Sequence, residues 1–278
     1  MEKRVAIQGY AGCFHEEAAR KFYSQAGAET VSVVECATFG ELFEALGDGR
    51  ADAAVMAIEN TTSGGLLPNF ELLRRNPQSI KGEVFLHIHQ NLMALPGQRL
   101  EDISEVRTHY MAIAQTRDFF ESRCPWIRMV ESEDTAKSAA DIAREGLRGT
   151  GAVASALAAS EFGLEILAPE IETYRENFTR FLVIDEGISV GKDQVNKASL
   201  CFTLPHKPGS LAHILTILSF YDMNLTRIQS LPIPGKSWQY FFYADIRFDN
   251  YERYSQALSA VRPLIDDLRV LGEYTAAL

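Results

Sequence analysis

The chain has 278 residues, is 46% hydrophobic and carries a formal net charge of -10, so it holds enough apolar side chains for more than one packed unit. An acidic balance argues against nonspecific binding of nucleic acid or anionic membranes, which needs clustered positive charge; a small anionic ligand stays compatible where a site supplies local donors. No uninterrupted apolar run approaches the roughly 20 residues that span a bilayer, and Met1-Glu2-Lys3-Arg4 leads straight into a strand-like run without a signal-peptide core, so a cytoplasmic location is expected.

Val5-Ala6-Ile7 predicts a short buried strand, followed by the turn Gly9-Tyr10-Ala11-Gly12-Cys13. Phe14, Ala18, Ala19 and Phe22 then fall at helical spacing, with Gly27 beyond the helix end. Val31-Ser32-Val33-Val34 is a second strand, and Thr38 with Glu41 has the spacing of a capping box for a helix through Leu46. Ala53-Ala54-Val55-Met56-Ala57-Ile58 is a third buried strand, and Glu59-Asn60-Thr61-Thr62-Ser63-Gly64-Gly65 is the polar loop after it. Alternating strand and helix predicts an α/β domain whose ligands collect at the carboxyl ends of the strands, where both polar loops fall.

From Val84 the pattern restarts: extended segments around Phe85, Ile88 and 92–95, helices over 114–120 and 134–145, and a strand over 151–155. These segments read as a second lobe. A return strand over 178–184 then rejoins the first lobe and carries Asn177-Phe178-Thr179-Arg180-Phe181 to the cleft. That pentapeptide sets an amide, a hydroxyl and a guanidinium among aromatics just before Leu182-Val183-Ile184. Unpartnered burial of such groups costs several kcal/mol, and substrate atoms are one kind of partner; a surface threonine beside a structural arginine is the other reading.

Residues 187–197 are polar and contain glycine, as a linker does. After them come an alternating strand over 198–204, an amphipathic helix over 208–222, strands over 225–234 and 238–248, a helix over 251–265 broken near Pro263, and a strand over 268–274. That order, βαββαβ, is ferredoxin-like.

Taken together these segments resemble prephenate dehydratase with an ACT regulatory domain at the carboxyl end, over nearly the whole chain. The resemblance rests on ordered motifs: the glycine loop from Gly9 to His15, Ile58-Glu59-Asn60-Thr61 where the family reads IEN followed by Ser, Thr108-His109-Tyr110 through Gln115 where it reads Ser-His-Pro and a Gln, Glu133-Asp134-Thr135-Ala136, and Asn177-Phe178-Thr179-Arg180-Phe181. It implies a two-lobed catalytic domain over 1–186, similar to type II periplasmic binding proteins, with lobe 1 at about 1–80 plus 165–186 and lobe 2 at about 84–160. A linker over 187–197 and an ACT domain over 198–278 complete it.

The reaction implied is loss of carbon dioxide and the ring hydroxyl from prephenate, giving phenylpyruvate and water without metal or redox cofactor. By resemblance Thr179 meets the departing oxygen, with Asn60, Thr108 and Gln115 as further catalytic positions. Arg180 offers a planar fork to one of the two carboxylates, although neighbours on an ideal strand point to opposite faces, so Thr179 and Arg180 cannot share one. Phe181, Asn177, Thr61, Ser63 and Gly64 complete the expected substrate contacts, the loop residues competing with ordinary helix capping for the same role. Glu59 is expected to be structural.

Pro208-Gly209-Ser210-Leu211 resembles the Gly-Ala-Leu turn of ACT domains, and with Asn224 and Leu225 it is the expected binding site for L-phenylalanine as feedback effector, which implies a homodimer or homotetramer. Gln229-Ser230-Leu231-Pro232 stands where the family usually reads Glu-Ser-Arg-Pro and so lacks both charges of that motif. A dimerisation module without a sensing role is the alternative for this domain. For the whole chain, arogenate dehydratase is the nearest rival and a non-catalytic two-lobed amino-acid sensor the rival from another class.

His87 and His89 flank Ile88 on one face of a strand, as a metal pair would, but no third ligand stands at telling spacing, so packing is expected and no metal. Cys13, Cys36, Cys124 and Cys201 lie far apart without a CxxC pair, which suggests neither disulfides nor zinc.

Overall fold

A computed structural model describes residues 2–25, 27 and 30–277. Met1 and Leu278, which bound the expected domains, lie outside the described residues. In chain order the elements are β1 (Glu2–Gln8), α1 (Phe14–Gln25), β2 (Thr30–Cys36), α2 (Phe39–Gly47), β3 (Ala53–Asn60), β4 (Gly64–Gly65), α3 (Leu67–Arg75), β5 (Ile80–His87), β6 (Asn91–Ala94), β7 (Glu105–Thr108), α4 (Tyr110–Arg123) and β8 (Arg128–Glu131). There follow α5 (Thr135–Glu145), β9 (Thr150–Ala154), α6 (Ala156–Phe162), β10 (Glu165–Ala168), β11 (Phe178–Ile184), β12 (Lys197–Thr203), α7 (Ser210–Phe220), β13 (Asn224–Pro232), β14 (Tyr240–Arg247), α8 (Tyr251–Val261) and β15 (Asp267–Tyr274). Among the described residues no helix is long and apolar enough to cross a membrane.

The chain divides into two compact units: one takes the described residues up to Gly65 with Val84–Phe181, the other Leu66–Glu83 with those from Leu182 on. The first contains two mixed sheets. In one, β1 pairs in parallel with β2 and β3, and the order runs β11, β3, β1, β2. Val5, Ala6, Ile7 and the run Ala53 to Ile58 are buried, as expected of central strands covered on both faces. The second sheet runs β10, β6, β9, β7, β8, with β7 parallel to β8 and β9 and β6 antiparallel to β9 and β10. Thr38 caps α2 as its spacing to Glu41 predicts, Glu41 N–H donating to Thr38 Oγ1 at 3.3 Å, but the returning bond of a capping box is replaced by one from the preceding residue, Ala37 N–H to Glu41 Oε2 at 3.0 Å. Asp134 and Ser155 cap α5 and α6 in the same way.

In the second unit β12-α7-β13-β14-α8-β15 builds an antiparallel sheet in the order β13, β14, β12, β15, the predicted βαββαβ arrangement. Leu200, Phe202, Ile214, Leu218, Ile246 and Tyr254 fill its core. The last helix stops at Val261, and Arg262–Leu264 continues as a short 3-10 turn, because Pro263 cannot extend the α-helical ladder. Leu66–Glu83, whose residues up to about 80 are expected in the first lobe, groups with this unit. The Phe70 ring meets Tyr243 edge-on at 4.4 Å and lies under the Arg227 guanidinium at 4.8 Å, and Lys197 Nζ reaches both carboxylate oxygens of buried Glu83 at 2.8 Å.

Candidate active site

The carboxyl end of β3 meets the start of β11, and there the expected residues converge. The Asn60 side-chain amide donates to Asn177 Oδ1 at 2.8 Å, to the Phe178 carbonyl at 3.2 Å and to Thr179 Oγ1 at 2.9 Å. Asn60 Oδ1 in turn accepts from the Thr62 hydroxyl at 2.6 Å and from the Thr62 and Ser63 amides, both at 2.9 Å. One asparagine thus both shapes the loop and orients the threonine. From α4, Gln115 Nε2 donates to Thr62 Oγ1 at 3.4 Å, while its Oε1 accepts from Asn177 Nδ2 at 3.1 Å and Gln90 Nε2 at 3.0 Å. The cluster therefore joins β3 and β11 of one sheet to α4, the helix that follows β7 of the other.

Thr61 is used differently: its hydroxyl donates to the Glu176 carbonyl and accepts from Phe178 N–H, each at 2.9 Å, and its own amide donates to the Phe178 carbonyl. Gly64, with φ of 80°, lets the loop turn back so that β4 pairs with Glu59 and Asn60.

Three expected residues take other positions. Thr108 is buried at the end of β7 and donates its hydroxyl to the Val153 carbonyl at 2.7 Å, a strand-to-strand role suited to a β-favouring residue. Phe181 is buried and meets the His15 ring edge-on at 5.0 Å, packing the wall behind the site because its strand continues into apolar sequence. Arg180, 2% exposed, pairs with Glu59 Oε1 at 3.3 Å. Glu59, expected to be structural, is its ion-pair partner.

Two features escaped the sequence. Phe178 is 36% exposed and stacks on His87 at 4.4 Å, a partner 91 positions away by number. Gln90 holds Gln115 and carries no motif. The glycine loop is also tightly bounded: Gly12 has φ of 83°, and a Cβ there would lie 2.9 Å from Ala158 Cα. Tyr10 donates to Glu133 Oε1 at 2.7 Å, and that hydrogen bond is the main cause raising its phenol to about 12. Burial pushes the Cys13 thiol up to about 12, with the Asp134 charge adding to it, so this cysteine is held as an inert thiol. Burial likewise raises Asp134 above the usual carboxylate range.

In the second unit Gly209, φ 82°, precedes α7 and places Ser210 and Leu211 beside a cavity of about 130 Å³ lined also by Lys207, Trp238 and Tyr240. Asn224 and Leu225 are not beside it. They pair with Arg247 and Ile246 at the Lys197 end of the sheet, whereas β12 leads into the Pro208 loop from Thr203, its other end. Within one chain the two halves of the expected effector site stand apart.

The family described as prephenate dehydratase matches residues 5–188. Arogenate dehydratase 2 of Petunia hybrida is 36% identical over 98% of this chain and 71% of its own length, and the bifunctional chorismate mutase/prephenate dehydratase of Aquifex aeolicus (strain VF5) is 34% identical over 99% and 74%. Among solved structures, the prephenate dehydratase of Arthrobacter aurescens in complex with L-Phe superposes with a TM-score of 0.86 at 29% identity, covering 98% of this chain and 89% of that one. A protein described as GqqA, a novel type of quorum quenching acylase, gives 0.87 at 29% identity, covering 99% and 98%. The chain belongs to the prephenate dehydratase family.

Proposed function

We propose that the chain is a lyase that converts prephenate to phenylpyruvate, carbon dioxide and water, the carbon-oxygen bond breaking at the ring as the ring carboxylate leaves. One observation carries the chemistry: Thr179 Oγ1 accepts from the Asn60 amide at 2.9 Å. An oxygen that accepts there keeps its own O–H as a donor, and the departing hydroxyl needs such a donor as charge develops on it. A threonine is a weak acid, so its part is to stabilise the transition state or relay a proton within the Asn60-Thr62-Gln115 network. Asn177, Thr61, Ser63 and Gly64 shape the substrate pocket around it. Arg180 is the proposed carboxylate anchor, reached by exchange with Glu59, and Thr108 and Phe181 support the pocket from behind.

The second unit's βαββαβ segment, residues 198–278, reads as an ACT regulatory domain after a 187–197 linker, with the catalytic domain over 1–186. L-Phenylalanine is the proposed effector. The separation of Pro208-Gly209-Ser210-Leu211 from Asn224 and Leu225 within one chain supports a site shared between two copies, hence a homodimer or homotetramer. Arogenate is the competing substrate, on the strength of the plant relatives' names. Incubating the protein with prephenate and with arogenate, following phenylpyruvate by its ultraviolet absorbance and phenylalanine by chromatography, tests both; no product from either leaves the non-catalytic sensor.

A further inference from the structure

The two histidines that lacked a third partner in the sequence have one in the fold. We propose that His87, His89 and Glu172 bind one divalent transition-metal ion, with zinc favoured by the donor set, in a site that ties together the two chain connections running between the sheets of the first unit. His87 closes β5, and the stretch to Asn91 leads into β6; Glu172 lies on the returning stretch between β10 and β11. The two stretches run side by side, with Ile88 N–H donating to the Asn177 carbonyl at 2.7 Å and Ile171 N–H to the Gln90 carbonyl at 2.8 Å.

One ligating atom from each of the three residues lies within 4.8 Å of the others. His89 Nδ1 and Glu172 Oε1 are 3.0 Å apart, a few tenths of an ångström inside the separation of about 3.4 Å between two ligands held at 2.0–2.2 Å on one tetrahedral ion. The Glu172 side chain is 3% exposed, and its other oxygen accepts from Gln90 N–H at 2.8 Å, which fixes the carboxylate as metal-bound carboxylates are fixed. The imidazoles of His87 and His89 lie 3.9 Å apart by ring centroid, and His87 is held from behind by stacking on Phe178 at 4.4 Å.

A second carboxylate stands near His89, outside the three-residue cluster itself. Glu170 Oε1 stands 3.9 Å from the same His89 nitrogen, and Glu170 has a φ of 51°, the left-handed region that a non-glycine residue enters at a cost. Two imidazoles with one or two carboxylates suit zinc and its neighbours, whereas calcium and magnesium favour all-oxygen sets. None of the four buried cysteines belongs to the cluster.

The test strips purified full-length protein with a chelator, dialyses it, and titrates zinc chloride against a chromophoric competitor while recording bound metal by elemental analysis and Tm. One zinc per chain is expected, with a Tm that rises with zinc and does not rise with magnesium. His89→Ala and Glu172→Gln should each lose the equivalent and the rise, and His213→Ala should keep both. Glu172→Gln retains an acceptor for Gln90 N–H, so it guards against a loss caused by misfolding alone. Zinc-edge X-ray absorption of the wild type should show imidazole and oxygen donors. Equal zinc uptake by wild type and His89→Ala, no uptake by either, an equal rise with magnesium, or sulfur ligation would each overturn the site.

Discussion

Asn60 and Thr179 stand 119 positions apart, and the amide of the first donates to the hydroxyl of the second at 2.9 Å. That bond makes Thr179 a donor with a fixed direction. Thr179→Ala should lower kcat by about 10²- to 10⁴-fold, the usual contribution of a positioned proton-transfer group, while Tm changes little. Thr179→Ser should restore a large part of kcat. Asn60→Ala should lower kcat as well and also loosen the loop, since Oδ1 holds the Thr62 and Ser63 amides. Steady-state turnover of prephenate with thermal melting separates these outcomes; an alanine variant at full kcat would remove Thr179 from the chemistry.

Arg180 and Glu59 test the anchor role. Removing one member of a largely buried ion pair commonly costs about 3–5 kcal/mol, and because the Glu59 side chain is 32% exposed the lower end is expected for Arg180→Ala. If Arg180 receives a substrate carboxylate by exchange, Glu59→Gln should lower KM, because the competitor for the guanidinium has lost its charge. A KM unchanged or raised in Glu59→Gln, with the same fall in stability in both variants, would make Arg180 purely structural.

His15 sets an acid limit on stability. Burial lowers its pKa from 6.5 to about 4, and its Nε2 accepts from Ala57 N–H at 3.4 Å, which a protonated nitrogen cannot do. The folded state therefore holds neutral imidazole while the unfolded chain takes up a proton below pH 6.5. The contribution is fully present above that pH and is lost as pH falls toward 4. His15→Gln should flatten the part of the stability curve between those limits, read as urea midpoints at pH 7 and pH 5.

Much of this was legible in the chain. The buried runs Val5 to Ile7 and Ala53 to Ile58, the Thr38 cap of α2 and the βαββαβ order all stood in local patterns of spacing, and the structure bears them out. Short elements such as β7 and β8, four residues each, gave too few periods to read. The partners that decide roles were hidden because they are distant: Val153 for the Thr108 hydroxyl, His15 for Phe181, Glu172 for the histidine pair. Strand alternation argued that Thr179 and Arg180 would face apart, and the two do take different partners, Asn60 and Glu59.

The effector proposal makes a demand on one glycine. Gly209 holds φ of 82° ahead of α7, a region where any other residue is strained, and His213 ring atoms lie 3.5 Å from where its Cβ would sit. Phenylalanine should reduce prephenate turnover in the wild type and should raise Tm, since a ligand that binds only the folded state stabilises it. Gly209→Val should abolish both responses while leaving turnover without phenylalanine near the wild-type value, because the loop belongs to the second unit and not to the Asn60–Thr179 cluster. Light scattering with and without phenylalanine then reports whether the response requires two copies: inhibition retained in a strictly monomeric form would rule out a site shared across them. If the loss of both charges in Gln229-Ser230-Leu231-Pro232 has uncoupled sensing from catalysis, Tm will rise with phenylalanine while turnover stays constant.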